Sequence, residues 1–190
     1  MALRMRVKVG GITNLSEARY CAGMGCDYLG FRIGGKGLSP KGFRDIAGWV
    51  AGPQLIVEVD HLENPEEVTG VLSELMPPIV QVVPEQVSLV SADPRLVIRA
   101  SDSPDDYTSR LVALRRRIEA LILPASVGPE VGMRLAETFL CLVHAPDYEP
   151  PGWPAHSALG LDLPGRTESA TGLVDNMKLS DLLESLEVPV

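Results

Sequence analysis

Helix-start signals recur along this chain at Asn14, Ser39, Asn64, Ser103 and Gly128, spaced 25 residues apart with one gap of 39. Asn14 with Glu17 has the capping-box spacing. Ser39-Pro40, Asn64-Pro65-Glu66-Glu67, Ser103-Pro104-Asp105-Asp106 and Gly128-Pro129-Glu130 all put proline or acid into the first turn. Proline there lacks an N–H that would have no partner anyway, and the acids face the positive end of the helix. Ahead of each start lies a short run rich in Val, Ile and Leu without clean alternation, the pattern of a parallel strand buried on both faces. Strands are expected at 6–10, 28–33, 55–60, 79–83, 96–100, 120–123, 139–143 and 158–163. Helices are expected at 15–23, 40–50, 65–75, 104–117, 129–138 and 176–186; in the fourth, Leu111, Leu114 and Ile118 follow one helical face. The connections after Val83 and Val143 read as short or non-helical.

Parallel neighbours need a crossover, and right-handed crossovers curl the sheet one way. Eight strand–helix units therefore predict one α/β domain over residues 1–190, a compact (β/α)8 TIM barrel. With 190 residues, or about 24 per unit, the chain falls just under the usual lower limit of roughly 200, so its loops are trimmed or a helix is missing. The structural alternative is an open doubly wound sheet of five or six strands.

Seventeen Lys and Arg against 25 Asp and Glu leave a net charge of -8. Such a molecule repels phosphate backbones and anionic lipid, so neither nucleic acid nor a membrane is expected as a partner. No window approaches the 18 or so uninterrupted apolar residues of a membrane span. Met1-Ala-Leu-Arg-Met-Arg runs into strand-like residues, not into a signal-peptide apolar stretch, and the expected location is the cytoplasm. Cys21, Cys26 and Cys141 form neither a C-x-x-C pair nor an even set, which favours buried, inert thiols over a disulfide framework or a zinc site.

Val7-Lys8-Val9-Gly10-Gly11-Ile12-Thr13-Asn14-Leu15, followed by Gly25-Cys26-Asp27-Tyr28-Leu29-Gly30-Phe31, resembles the opening of the phosphoribosylanthranilate isomerases. There K-x-C-G-I-T leads to a helix and then to a G-A-D-x-x-G-F strand. Ser39-Pro40, Val57-Glu58-Val59-Asp60, Asn64-Pro65-Glu66-Glu67-Val68 and Ile79-Val80-Gln81-Val82-Val83 continue the likeness. Near the end, Gly160-Leu161-Asp162-Leu163, Glu168-Ser169, Gly172 and Asp175 are similar to the family's G-V-D-V-S-S-G-V-E and P-G-x-K-D. The resemblance implies the barrel, an aldose–ketose isomerisation in tryptophan biosynthesis, a sugar-phosphate ligand and no cofactor.

Departures from the pattern fall on its chemistry. The family's general base is the Cys of K-x-C-G-I-T, matched here by Gly10, and its general acid is an Asp ending the sixth strand, matched by Pro124. The isomerisation needs one group to protonate the ring oxygen and another to remove the C2 proton, and neither glycine nor proline can do so. After the seventh strand G-G-L becomes His144-Ala145-Pro146, and after the eighth S-S-G becomes Pro164-Gly165-Arg166, which removes N–H donors from the loops that usually hold phosphate. The expectation is a divergent barrel without the usual isomerase activity that binds a small anionic or phosphorylated ligand, as a monomer or homodimer. The alternatives are an isomerase run by substitute groups and a non-catalytic interaction protein.

Substitute catalytic candidates are Asp60, His61 and Asp162, and ligand-binding candidates are Gly11, Lys36, Gln81, Arg99, Gly165 and Arg166. His144 and Asp147 also fall at the barrel's predicted top, where with Asp60 and His61 they could pair carboxylate with imidazole or hold a metal; solvated loop residues are the simpler reading, and no metal is expected. Lys8 shares a face with Gly10 and would pair in the interior with Asp162 or Glu58. Gly30–Gly37 nearly spells a nucleotide-binding P-loop, but Gly37 stands where magnesium needs a hydroxyl. Arg115-Arg116-Arg117 reads as a wet helix end.

Overall fold

The computed structural model describes residues 2–101, 108–165, 168–170, 173–174 and 177–188. Eight parallel strands close into a barrel in chain order: β1 (Arg6–Gly10), β2 (Tyr28–Arg32), β3 (Gln54–Glu58), β4 (Ile79–Val82), β5 (Arg95–Arg99), β6 (Ile118–Pro124), β7 (Cys141–His144) and β8 (Leu159–Pro164). Closure is made by β1 on β8, in register from Arg6 opposite Gly160 to Gly10 opposite Pro164, which rules out the open sheet. Between strands lie α1 (Leu15–Gly23), α2 (Pro40–Ala47), α3 (Pro65–Leu75), α4 (Thr108–Leu114) and α5 (Pro129–Ala136), and α6 (Met177–Ser185) follows β8.

Caps start these helices where the sequence places them. The Asn14 side chain accepts the Glu17 N–H at 2.9 Å, Ser39 Oγ accepts that of Gly42 at 3.1 Å, and Asn64 Oδ1 accepts that of Glu66 at 2.9 Å. The Ser103-Pro104 start lies outside the described residues. The connection after β4 is a 3-10 helix, Pro84–Leu89, and that after β7 contains no helix, as its prolines demand.

Strand alternation sorts the core into two shells. Val7, Val9, Leu29, Phe31, Val57, Val80, Ile98, Leu121 and Leu163 pack with helix residues such as Ala18, Cys21, Val68, Leu135 and Leu183, so they face outward to the helices. Tyr28, Ile56, Ile79, Val97, Ala120, Ile122 and Leu142 form a separate apolar cluster inside the barrel. Each fully buried Val, Leu or Ile contributes about 1.5–3 kcal/mol.

Three expectations need correction. β3 ends at Glu58, so Asp60 and His61 lie in the turn beyond the strand. The fourth helix stops at Leu114, and Ile118 opens β6 instead of extending that helical face. Arg117 is not wet: its guanidinium donates to the carbonyls of Ser91 and Pro94 and ties the β6 entry to the loop before β5. An antiparallel pair, β9 (Glu168–Ala170) with β10 (Leu173–Val174), had no forecast. No helix among the described residues is long and apolar enough to cross a membrane.

Candidate functional site

The interior positions two residues beyond the apolar layer carry the polar groups. Glu58 follows Ile56, Gln81 follows Ile79, Arg99 follows Val97, His144 follows Leu142 and Asp162 follows Gly160, so each points inward at the C-terminal mouth. Lys8 comes from β1 opposite Asp162. This is the end at which barrels of this kind carry their chemistry.

Lys8 is fully buried and donates to both Glu58 Oε1 at 2.8 Å and Asp162 Oδ1 at 2.7 Å, so both anticipated partners are used at once. Burial opposes its charge, but the two carboxylates outweigh burial and raise its pKa. Burial would likewise push Asp162 up, yet Lys8, the His144 hydrogen bond and Arg99 together hold it well below the usual carboxylate range. Asp162 is therefore ionised and can only accept, which makes His144 Nδ1 the donor in their 2.7 Å contact and leaves Nε2 with a lone pair in the neutral ring. Arg99 joins the cluster through Nε to Asp60 Oδ2 at 2.7 Å and Nη2 to Asp162 Oδ2 at 3.5 Å, and Gln81 Nε2 also donates to Asp60 Oδ2 at 2.8 Å.

Glu58 occupies the room beside the position that the family resemblance assigns to a catalytic thiol. A Cβ on Gly10 would lie 2.6 Å from Glu58 Oε1 and 2.6 Å from Lys8 Nζ, and one on Gly30 would lie 2.0 Å from the same oxygen. Two glycines on neighbouring strands thus form the bay that admits the Lys8–Glu58 pair.

Above the cluster is a cavity of about 230 Å³ lined by Gly10, Gly11, Arg32, Glu58, Arg99, His144, Asp162, Leu163, Pro164 and Gly165. The candidates Asp162, Arg99, Gly11 and Gly165 meet here. Asp60 and Gln81 stand behind Arg99 without lining the cavity, whereas His61 and Lys36 belong to an adjacent groove of about 450 Å³ that shares only Arg32 with it. His61 contacts the Gly34 carbonyl at 3.4 Å, Asp147 is exposed, and the P-loop-like turn has its Gly35 N–H taken by Glu67 Oε1. The imidazole–carboxylate pair at the mouth is therefore His144 with Asp162, not His61 with Asp60. No three His, Cys, Asp or Glu side chains converge as metal ligands among the described residues.

The backbone donors expected to hold an anion are already engaged. Gly11 N–H donates to Glu58 Oε2 at 2.9 Å and Gly165 N–H to the Gly10 carbonyl at 2.5 Å. Tyr148, from the β7–β8 connection, donates to the carbonyls of Pro164 and Gly165 at 3.2 and 3.4 Å and draws that connection onto the loop after β8. Arg166 lies outside the described residues. Arg32, which the motif reading passed over, is the exposed cation at the cavity's rim and has no acidic partner among the described residues. Its signal was parity: Tyr28, Gly30 and Arg32 share the inward face of β2.

No protein-family model matches the chain, and no curated protein matches it. Solved structures do. Phosphoribosyl anthranilate isomerase from Thermus thermophilus is similar at 21% identity and a TM-score of 0.63, covering 96% of this chain and 98% of that one. TrpF from Jonesia denitrificans is similar at 19% identity and a TM-score of 0.63, covering 96% of each chain. A phosphoribosyl anthranilate isomerase in complex with reduced 1-(o-carboxyphenylamino)-1-deoxyribulose 5-phosphate is similar at 22% identity and a TM-score of 0.51, over 81% of this chain and 94% of that one. The fold of this chain is thus that of the phosphoribosylanthranilate isomerases, the family whose opening and closing motifs its sequence resembles.

Proposed function

We propose that this barrel binds a small anionic or phosphorylated ligand at its C-terminal mouth and does not carry out the isomerisation of phosphoribosylanthranilate. The observation that carries this reading is the pairing pattern of the cavity. Every carboxylate that lines it is engaged, Glu58 by Lys8 and Gly11 and Asp162 by Lys8, His144 and Arg99, while the Arg32 guanidinium at the rim has no acidic partner among the described residues. A planar guanidinium matches the oxygens of a carboxylate or phosphate. Arg166, which lies outside the described residues, follows Gly165 in the chain and is the second cation this proposal assigns to the ligand.

Loss of the isomerase reaction is supported by the residues present and by the room available. Gly10 and Pro124 carry no ionisable group, and the Glu58 carboxylate fills the bay beside Gly10. The cavity, at about 230 Å³, is smaller than the roughly 300 Å³ at which pockets for drug-sized ligands begin, which favours a small ligand. Purified protein is expected to consume phosphoribosylanthranilate at the background rate in a fluorescence assay, and turnover at ordinary enzyme rates would restore the isomerase reading. Inorganic phosphate is expected to bind in calorimetry and to lose on the order of tenfold in affinity on Arg32→Ala, whereas Arg116→Ala leaves it unchanged. Absence of phosphate binding by the wild type would remove the anion site.

A further inference from the structure

Among the described residues that line the cavity, His144 is the one imidazole, and its Nε2 has no described partner. Glu58 is held by two donors, with Oε1 on Lys8 Nζ and Oε2 on the Gly11 N–H. Asp162 is held by Lys8, His144 and Arg99. His144 is half-buried and lines the same cavity, with its Nδ1 proton on Asp162 and no described partner for Nε2. A buried, ionised carboxylate behind an imidazole fixes the tautomer and stabilises the imidazolium that forms when Nε2 takes a proton. Among the described residues no hydroxyl or thiol lines the cavity. The cations Arg32 and Arg99 face the same space, where they favour negative charge developing on a substrate oxygen.

We propose that His144 is a catalytic general base that removes a carbon-bound proton next to the carbonyl of a small phosphorylated or carboxylated substrate held at the barrel mouth. This rests on the anion-binding reading above. The C–H bond breaks, the proton passes to His144 Nε2, and its electron pair moves into the enolate whose oxygen faces Arg99 and Arg32. Return of a proton from Nε2 to carbon completes the cycle with no oxidant, reductant or second substrate. Size agrees with the class: a cavity of about 230 Å³ suits a small phosphate or carboxylate.

The test is proton–deuterium exchange in D₂O. Dihydroxyacetone phosphate and pyruvate are each incubated with the full-length chain, and loss of their α-proton signals is followed by NMR. Wild type is expected to exchange at least one probe faster than buffer, with His144→Gln, prepared in parallel, slower by about 100-fold or more. Asp162→Asn is expected to slow exchange as well, because the imidazole then loses the charge that holds its tautomer. Circular dichroism and phosphate calorimetry on both variants separate a lost base from a lost fold. Exchange at the buffer rate with both probes, or equal exchange by wild type and a folded His144→Gln, overturns the proposal. If phosphate still binds in that case, only the proton transfer falls; if phosphate does not bind either, the anion site falls with it.

Discussion

Lys8 is wholly enclosed between Glu58 and Asp162, and its energetic role follows from what its removal would leave behind. Desolvating three charges is expensive, and such a cluster stands only because each charge is matched at hydrogen-bond distance. Lys8→Met would bury two carboxylates with their shared cation gone. The expected cost is about 3–5 kcal/mol, a fall in Tm of roughly 10 °C for a chain of this size, read by calorimetry at neutral pH. A Tm within a degree or two of wild type would mean that the pair contributes little beyond its own desolvation. Cys141 is a contrast: all three thiols are buried, and burial pushes the Cys141 thiol up to about 12, so it stays a protonated, inert core residue.

At the scale of elements, α1 and α3 run over the residues their caps and periodicity indicate, because cap chemistry is local. The β7–β8 connection is different. It carries no helix, and its Trp153 packs against α5 at Gly132, where a Cβ would come within 2.1 Å of the indole ring. Glycine in a helix interior ordinarily costs about 1 kcal/mol relative to alanine, so Gly132→Ala would stabilise an isolated helix. Here overpacking of about 1–3 kcal/mol opposes that gain. The expected result is a lower Tm together with a red-shifted Trp153 emission, measured in a Trp49→Phe background because Trp49 is exposed. A raised Tm with unchanged emission would show that the connection moves freely away from α5.

For the molecule as a whole, the mouth cluster links stability to pH. Asp162 titrates lower in the native protein than its ordinary value of 3.8, so below that pH the unfolded chain takes up a proton that the native state resists. Its stabilising contribution is complete above pH 3.8 and is lost as pH falls through the native value. Lys8 acts in the opposite window, contributing fully below its ordinary 10.5 and losing that contribution as pH rises through its raised native value. Thermal melts between pH 5 and pH 2 are expected to fall more steeply for wild type than for Asp162→Asn, and parallel curves would contradict the linkage. The barrel itself was legible in the amino-acid order, since caps at Asn14, Ser39 and Asn64 and short Val- and Ile-rich runs act over a few residues. That positions 10 and 124 carry glycine and proline, without an ionisable group, was equally plain, because a side chain's identity needs no geometry to be noticed. Asp162, Arg99, Gly11, Gly165 and the partners of Lys8 were legible as candidates, but which candidates share one cavity was decided by closure of the sheet. Joining β1 to β8 brings Lys8 against Asp162, residues 154 positions apart, while the turn after β3 sends His61 into a neighbouring groove and leaves His144 as the imidazole at the mouth. Spacing along a chain sets which face of a strand a residue occupies, but contact between distant strands depends on register and curvature that belong to the assembled barrel.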